Sequence, residues 1–143
     1  MWVRDPPLIP NHSWGYGESD IWRITKSKYA IDYEIKISRG DFFADFKKKK
    51  TFLLKAGGHH YGPHRMFYVC PSDLIKEDEV PEYAGLMYIH ENNGIFTLEK
   101  IKNAPKFKKH QNVNERYIER ILKTVAKRYM YGKIKELGKD FEL

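Results

Sequence analysis

Asp20, Glu34 and Lys36 are the residues of this 143-residue chain whose types and spacing suit chemistry on a phosphodiester. In an extended segment alternate side chains share a face, so Asp32, Glu34 and Lys36 stand together while Tyr33, Ile35 and Ile37 form an opposite, apolar face that should mark the core side. Three ionisable groups in a row are costly if buried without compensation, and a divalent cation would supply it. Carboxylates are the hard oxygen donors that Mg²⁺ favours, with Mn²⁺ as a substitute. Phosphodiester hydrolysis needs a positioned water, charge relief on the phosphate and stabilisation of the leaving oxygen, which a metal and an ammonium group provide together. Asp20 and Glu34 are therefore assigned as metal ligands, with the backbone carbonyl of Ile35 as a third and Glu18 as an additional one. Lys36 is assigned to orient the attacking water and to stabilise developing negative charge. Asp32 is read as peripheral.

Two strands must position these groups. Residues Asp20–Ile24 and Tyr29–Ile37 are rich in Ile, Tyr and Trp, and Thr25-Lys26-Ser27-Lys28 joins them as a hairpin. Across that ladder Asp20 approaches Glu34. Ser38 with Asp41 forms a capping box, and Phe42, Phe43, Phe46 and Leu53 recur at helical spacing, so one helix should start directly after the second strand. Further strands are expected over Met66–Cys70, Ala84–His90 and, shorter, Ile95–Leu98. Residues 1–17, with three prolines and two glycines, read as an irregular arm or lid, and residues 18–143 as one domain. From Asn114 onward a final helix carries Ile118, Ile121, Leu122, Val125 and Tyr129 on one side and Arg116, Arg120, Lys123 and Lys127 on the other. That basic stripe suits phosphate tracking or simply a solvated surface. The same two readings apply to Arg39, Lys47 and Lys48, which complete the candidate nucleic-acid contacts.

The Asp opening one strand, the E-x-K in the next and the capped helix that follows resemble the PD-(D/E)XK nuclease superfamily over roughly residues 18–90. More narrowly, Glu18-Ser19-Asp20 followed by the run Glu34-Ile35-Lys36-Ile37-Ser38-Arg39-Gly40-Asp41-Phe42-Phe43-Ala44-Asp45-Phe46-Lys47 is similar to the small bacterial MmcB-type DNA-repair group and related phage proteins. This resemblance implies an α/β, restriction-endonuclease-like mixed sheet of about four to five strands flanked by helices, Mg²⁺-dependent cleavage of DNA, and a metal held at Asp20 and the Glu34-x-Lys36 positions. Ser19 stands where the superfamily has its proline, and residues 1–17 look too irregular for the acidic helix that many relatives place first. Glu18 or a second subunit would then complete the site, which leaves room for a homodimer or a targeting partner protein.

Composition sets the remaining bounds. A net charge of +7 favours a polyanionic partner, DNA foremost, with RNA left open. The single cysteine, Cys70, fits a reducing compartment, and no apolar run reaches the about 18 to 20 residues that span a bilayer, so a cytoplasmic protein of a bacterium or a phage-infected cell is expected. His59, His60 and His64 lie in a Gly-rich loop without the Cys or carboxylate spacing of a zinc site, and read as a polar loop or a phosphate contact. Trp14, Tyr16 and Trp22 read as core or lid packing, or as stacking partners for unpaired bases. Two function classes follow: a metal-dependent nuclease, or a non-catalytic nucleic-acid-binding module that keeps the fold.

Overall fold

The computed structural model describes residues 8–140. In chain order these form β1 (Leu8–Ser13), β2 (Glu18–Ile24), β3 (Ala30–Ile35), α1 (Arg39–Ala44), α2 (Lys49–Lys55), β4 (Arg65–Pro71), β5 (Gly85–Asn92), β6 (Ile95–Lys102) and α3 (Glu115–Asp140). The architecture is α/β, with a single six-stranded mixed sheet in the order β1-β2-β3-β4-β5-β6. β3, β4 and β5 run parallel, while β1, β2 and β6 pair antiparallel with their neighbours. A parallel β3–β4 pair requires a crossover, and α1 and α2 supply it. The strands, α1 and α2 belong to one compact unit that runs to Gln111; α3 belongs to a second that starts at Asn112.

The sheet has one strand more than the largest number expected from sequence. β1 occupies residues 8–13 of the segment read as an irregular arm, and its register sets Pro10 against Ile21. An edge strand tolerates a residue without an N–H, which is why a proline-bearing stretch can still pair. Residues 1–7 lie outside the described part. The two turns behave as their residues dictate: Lys28 (φ 63°) closes the β2–β3 hairpin, and Asn93-Gly94, both at positive φ, make the two-residue β5–β6 connection. β6 continues to Lys102, well past the short strand expected.

The single helix expected after Ser38 is broken in two. Ser38 Oγ accepts from the Asp41 N–H at 3.1 Å and caps α1 as its position suggests. A 3₁₀ turn over Asp45–Lys47 and an extended Lys48 (ψ 149°) then restart the helix at Lys49. The break rotates the second half, so that Lys50 and Leu54 become its buried residues.

The sheet buries the opposite face of β3 from the one expected. α1 and α2 cover the side that bears Asp32, Glu34 and Lys36, together with Trp22, Ile24, Met66, Tyr68 and Leu86, all buried. Phe42 of α1 meets Tyr68 edge to face at 5.0 Å on this side. The Tyr33–Ile35 side has only a partial core of Ile31, Phe67 and Ala104. Ile35 is 39% exposed there and Ile37, past the strand, 79%. An open apolar groove lined by Leu8, Ile21, Tyr33, Val69, Met87 and Leu98, among others, lies on that face.

In the second unit, Asn114 Oδ1 accepts from the Tyr117 N–H at 2.8 Å and starts α3. Among the described residues of this unit Val113, Tyr117 and Ile121, spaced by four, are buried, whereas Leu122 and Tyr129 of the expected apolar stripe are exposed.

Candidate active site

Hairpin register brings the first two site residues together. Ile21 pairs with Tyr33 and Trp22 with Asp32, so continuing the ladder one step sets Asp20 opposite Glu34. Asp20 Oδ2 accepts from the Ile35 N–H at 2.8 Å, which holds its carboxylate at the end of β3. Asp20, Glu34 and Glu18 line one cleft of ≈ 440 Å³, and Lys48, Lys49 and Lys50 of the α2 start line it too. β2 begins at Glu18, so alternation does place Glu18 on the Asp20 side. Gly17 precedes it because a Cβ there would stand 2.6 Å from the Trp14 ring.

The cation that answers the buried carboxylates is Lys50. Its Nζ pairs with Glu34, lies 2.6 Å from Asp32 Oδ2 and donates to the Glu18 carbonyl at 2.6 Å. Asp32, read from sequence as peripheral, is completely buried and central to this cluster. Lys36 belongs to a second, adjoining pair: its Nζ is 2.8 Å from Asp45, 3.8 Å from Asp41 and 3.9 Å from Glu34. Asp45 is shared with Lys48 at 2.7 Å. Lys36 is buried and does not line the cleft; the ammonium that does so beside Glu34 is that of Lys50.

These placements set the protonation behaviour. Burial pushes the Glu34 carboxyl up to about 7, with Asp32 and Asp20 adding repulsion and Lys50 opposing it. Burial likewise raises Asp32 against the pull of Lys50. For Lys50 burial works against the charged form, but the Asp32 and Glu34 carboxylates outweigh it and its ammonium is held above the usual range. Glu34 thus carries a proton equilibrium near neutral pH inside a cleft, a common mark of functional carboxylates.

A divalent cation fits the donor chemistry within limits. Among the described residues no group of three or more His, Cys, Asp and Glu is arranged to hold a metal. Mg²⁺ keeps several waters and often takes only one or two carboxylates; Asp20 and Glu34 are the pair that face one cleft, and Glu34 is ion-paired with Lys50. Ile35, expected to offer its carbonyl, is tied to the site through its N–H.

The other candidates fall into distinct settings. Arg39 pairs with Glu79 at 2.5 Å and donates to the Leu74 carbonyl, which brackets α1 to the loop after β4. Lys47 is exposed beside the cleft residues Lys48 and Lys49. On α3, Lys123 pairs with Glu119 and Arg120 lies over the Tyr117 ring, while Arg116 and Lys127 are exposed. His64 is buried, accepts at Nδ1 from the Ala30 N–H and stacks on His110 at 3.8 Å. It is a structural residue and not part of a His site with His59 and His60.

Lys50 and Asp45 carry weight that the sequence reading missed. Lys50 sat inside a run of four lysines whose members look alike, yet the spacing Phe46, Lys50, Leu54 marks it as the one aligned with the apolar stripe.

No family model and no curated protein matches the sequence. A solved protein of unknown function from Silicibacter pomeroyi is similar in structure, with a TM-score of 0.60 at 18% identity over 92% of this chain and 81% of that one. At this identity the likeness is one of fold.

Proposed function

We propose that this protein is a metal-dependent DNA nuclease of restriction-endonuclease-like fold, which cuts phosphodiester bonds in a structure-directed or weakly sequence-specific way during DNA repair or phage DNA processing. The observation that carries the reading is the placement of Asp20 and Glu34 opposite each other in the same cleft as Lys48, Lys49 and Lys50. Carboxylates that can hold a cation beside ammonium groups that can meet phosphate oxygens are what a phosphate ester with its cation requires.

Asp20 and Glu34 would hold Mg²⁺ or Mn²⁺. When bound, that ion supplies charge relief on the phosphate and acidifies the attacking water. Lys48 and Lys49 bind the flanking phosphates. Lys50 holds Glu34 and Asp32 in place and, on releasing Glu34, faces the scissile group with its ammonium. Lys36, locked to Asp45 and 3.9 Å from Glu34, positions Glu34 from behind.

A second reading, a DNA-binding module without catalysis, draws on the Lys50–Glu34 pair, which already neutralises the carboxylate that a metal would need. Cleavage of labelled single-stranded, duplex and flapped DNA with Mg²⁺, Mn²⁺ or EDTA separates the two. The nuclease reading expects cutting by the wild type with metal only, abolished in Glu34→Ala and reduced by at least tenfold in Lys36→Ala and Lys50→Arg. DNA bound but uncut in every condition would leave the binding module.

A further inference from the structure

A cluster of rings adjoins the cleft through Tyr16, built from the segment before β2 and the loop after α2. Tyr16 lines the cleft and meets His59 edge to face at 5.0 Å. His59 stacks on His60 at 4.2 Å, and His60 meets Tyr61 at 4.2 Å with the two rings tilted by 50°. Tyr61 closes the arc against Gly15, whose added Cβ would lie 3.9 Å from the Tyr61 ring.

The arrangement is held in place before any ligand arrives. The Gly62 N–H donates to the His59 carbonyl at 2.8 Å, and the Tyr61 N–H to His59 Nδ1 at 3.1 Å, which fix the tight turn bearing three of the rings. Gly15 (φ 95°) bends the other wall toward it. Lys49 lies over the Tyr16 ring at 4.6 Å, so a cation is interleaved with the aromatics.

Rings that serve only packing lose their faces to the core, but Tyr16 is 50% exposed and Tyr61 51%, and His60 is exposed as well. Half-exposed aromatic rings beside a lysine-lined cleft are how single-stranded nucleic acid is gripped, with bases stacking and the backbone following the charge. Duplex DNA keeps its base faces covered and could use the lysines alone.

We propose that Tyr16, His60 and Tyr61 form a stacking platform for unpaired bases, so that the strand delivered to Asp20 and Glu34 is single-stranded or flapped DNA. This assignment of substrate class rests on the nuclease reading for its purpose, but the platform itself is measured without cleavage.

Fluorescence anisotropy in EDTA tests it, using a labelled ten-nucleotide thymidine strand, an abasic strand of equal length and a duplex, with wild type, Tyr16→Ala, Tyr61→Ala and the two Tyr→Phe variants. We expect the wild type to prefer the thymidine strand to both others. Each Ala variant should bind that strand roughly 5- to 100-fold more weakly and the abasic strand unchanged, while the Phe variants retain affinity. Thermal midpoints check that the Ala variants fold, and His60→Ala replaces either one that does not. Equal binding of thymidine and abasic strands by the wild type, or Ala variants that bind as the wild type does, would overturn the platform. Absence of cleavage with the stacking preference intact would sink the nuclease reading and leave the platform standing.

Discussion

Lys50 joins two buried carboxylates, and removal of one member of such a cluster leaves uncompensated charge. The loss is expected to reach about 3–5 kcal/mol in Lys50→Met, read from urea unfolding at pH 8. An unchanged midpoint would mean that Asp32 and Glu34 shed their charge without it. His64 predicts a pH effect of definite sign. Burial, aided by His110 and neighbouring cations, lowers its imidazole from 6.5 to about 4. Between those values the unfolded chain binds the proton and the folded protein does not. Stability therefore falls as pH drops from about 6.5 to about 4, by at most ~3 kcal/mol, and this contribution flattens below about 4. Asn at position 64 can still accept from the Ala30 N–H, so unfolding of His64→Asn followed from pH 7 to 4 should show a shallower fall. A pH profile identical to the wild type would remove His64 as its source.

The elements that aim the site depend on a few local devices. Ser38→Ala removes the side-chain acceptor at the start of α1 and should cost about 1 kcal/mol in chemical denaturation. Gly17→Ala should be worse, roughly 1–3 kcal/mol, because the Trp14 ring must shift to admit the Cβ. If Gly17→Ala proved neutral in the same assay, the approach of Trp14 to β2 would be looser than described. Much at this scale was legible: the hairpin, the helix cap at Ser38, β4, β5 and the turn at Asn93-Gly94 all follow from local residue patterns. The restart at Lys49 was not, since Phe42 to Leu53 keeps helical spacing on both sides of the break at the extended Lys48. β1 escaped notice because Pro10 and Asn11 (φ 51°) resemble loop residues until β2 offers a partner.

At the scale of the molecule, a formal charge of +7 predicts binding to DNA that weakens steeply with salt. For a single strand the slope of log affinity against log salt should fall by about 0.7 when a phosphate-contacting lysine is removed. Lys49→Ala, at the cleft, is expected to show that change, and Lys123→Ala, paired with Glu119, to leave the slope as it is. Equal slopes in both variants would assign the salt dependence to diffuse charge rather than to the cleft. Among the described residues no helix is long and apolar enough to cross a membrane.

From the residues alone came the relation between Asp20 and Glu34 and the common face of Asp32, Glu34 and Lys36. Strand alternation and hairpin register are local geometry, set by a period of two and a short turn. Which of the two β3 faces would be covered was a different kind of question, because both carry large side chains and each could be a core. The crossover helices settled it by packing on the charged side, where Lys50 and Asp45 neutralise what the strand brings. Long-range contact also chose Lys50 over its three lysine neighbours, and gathered Tyr16 with His59, His60 and Tyr61 from segments more than forty residues apart. Charge pairing and ring contact between such distant residues depend on how the sheet and helices fold together, and have no period for a linear sequence to display.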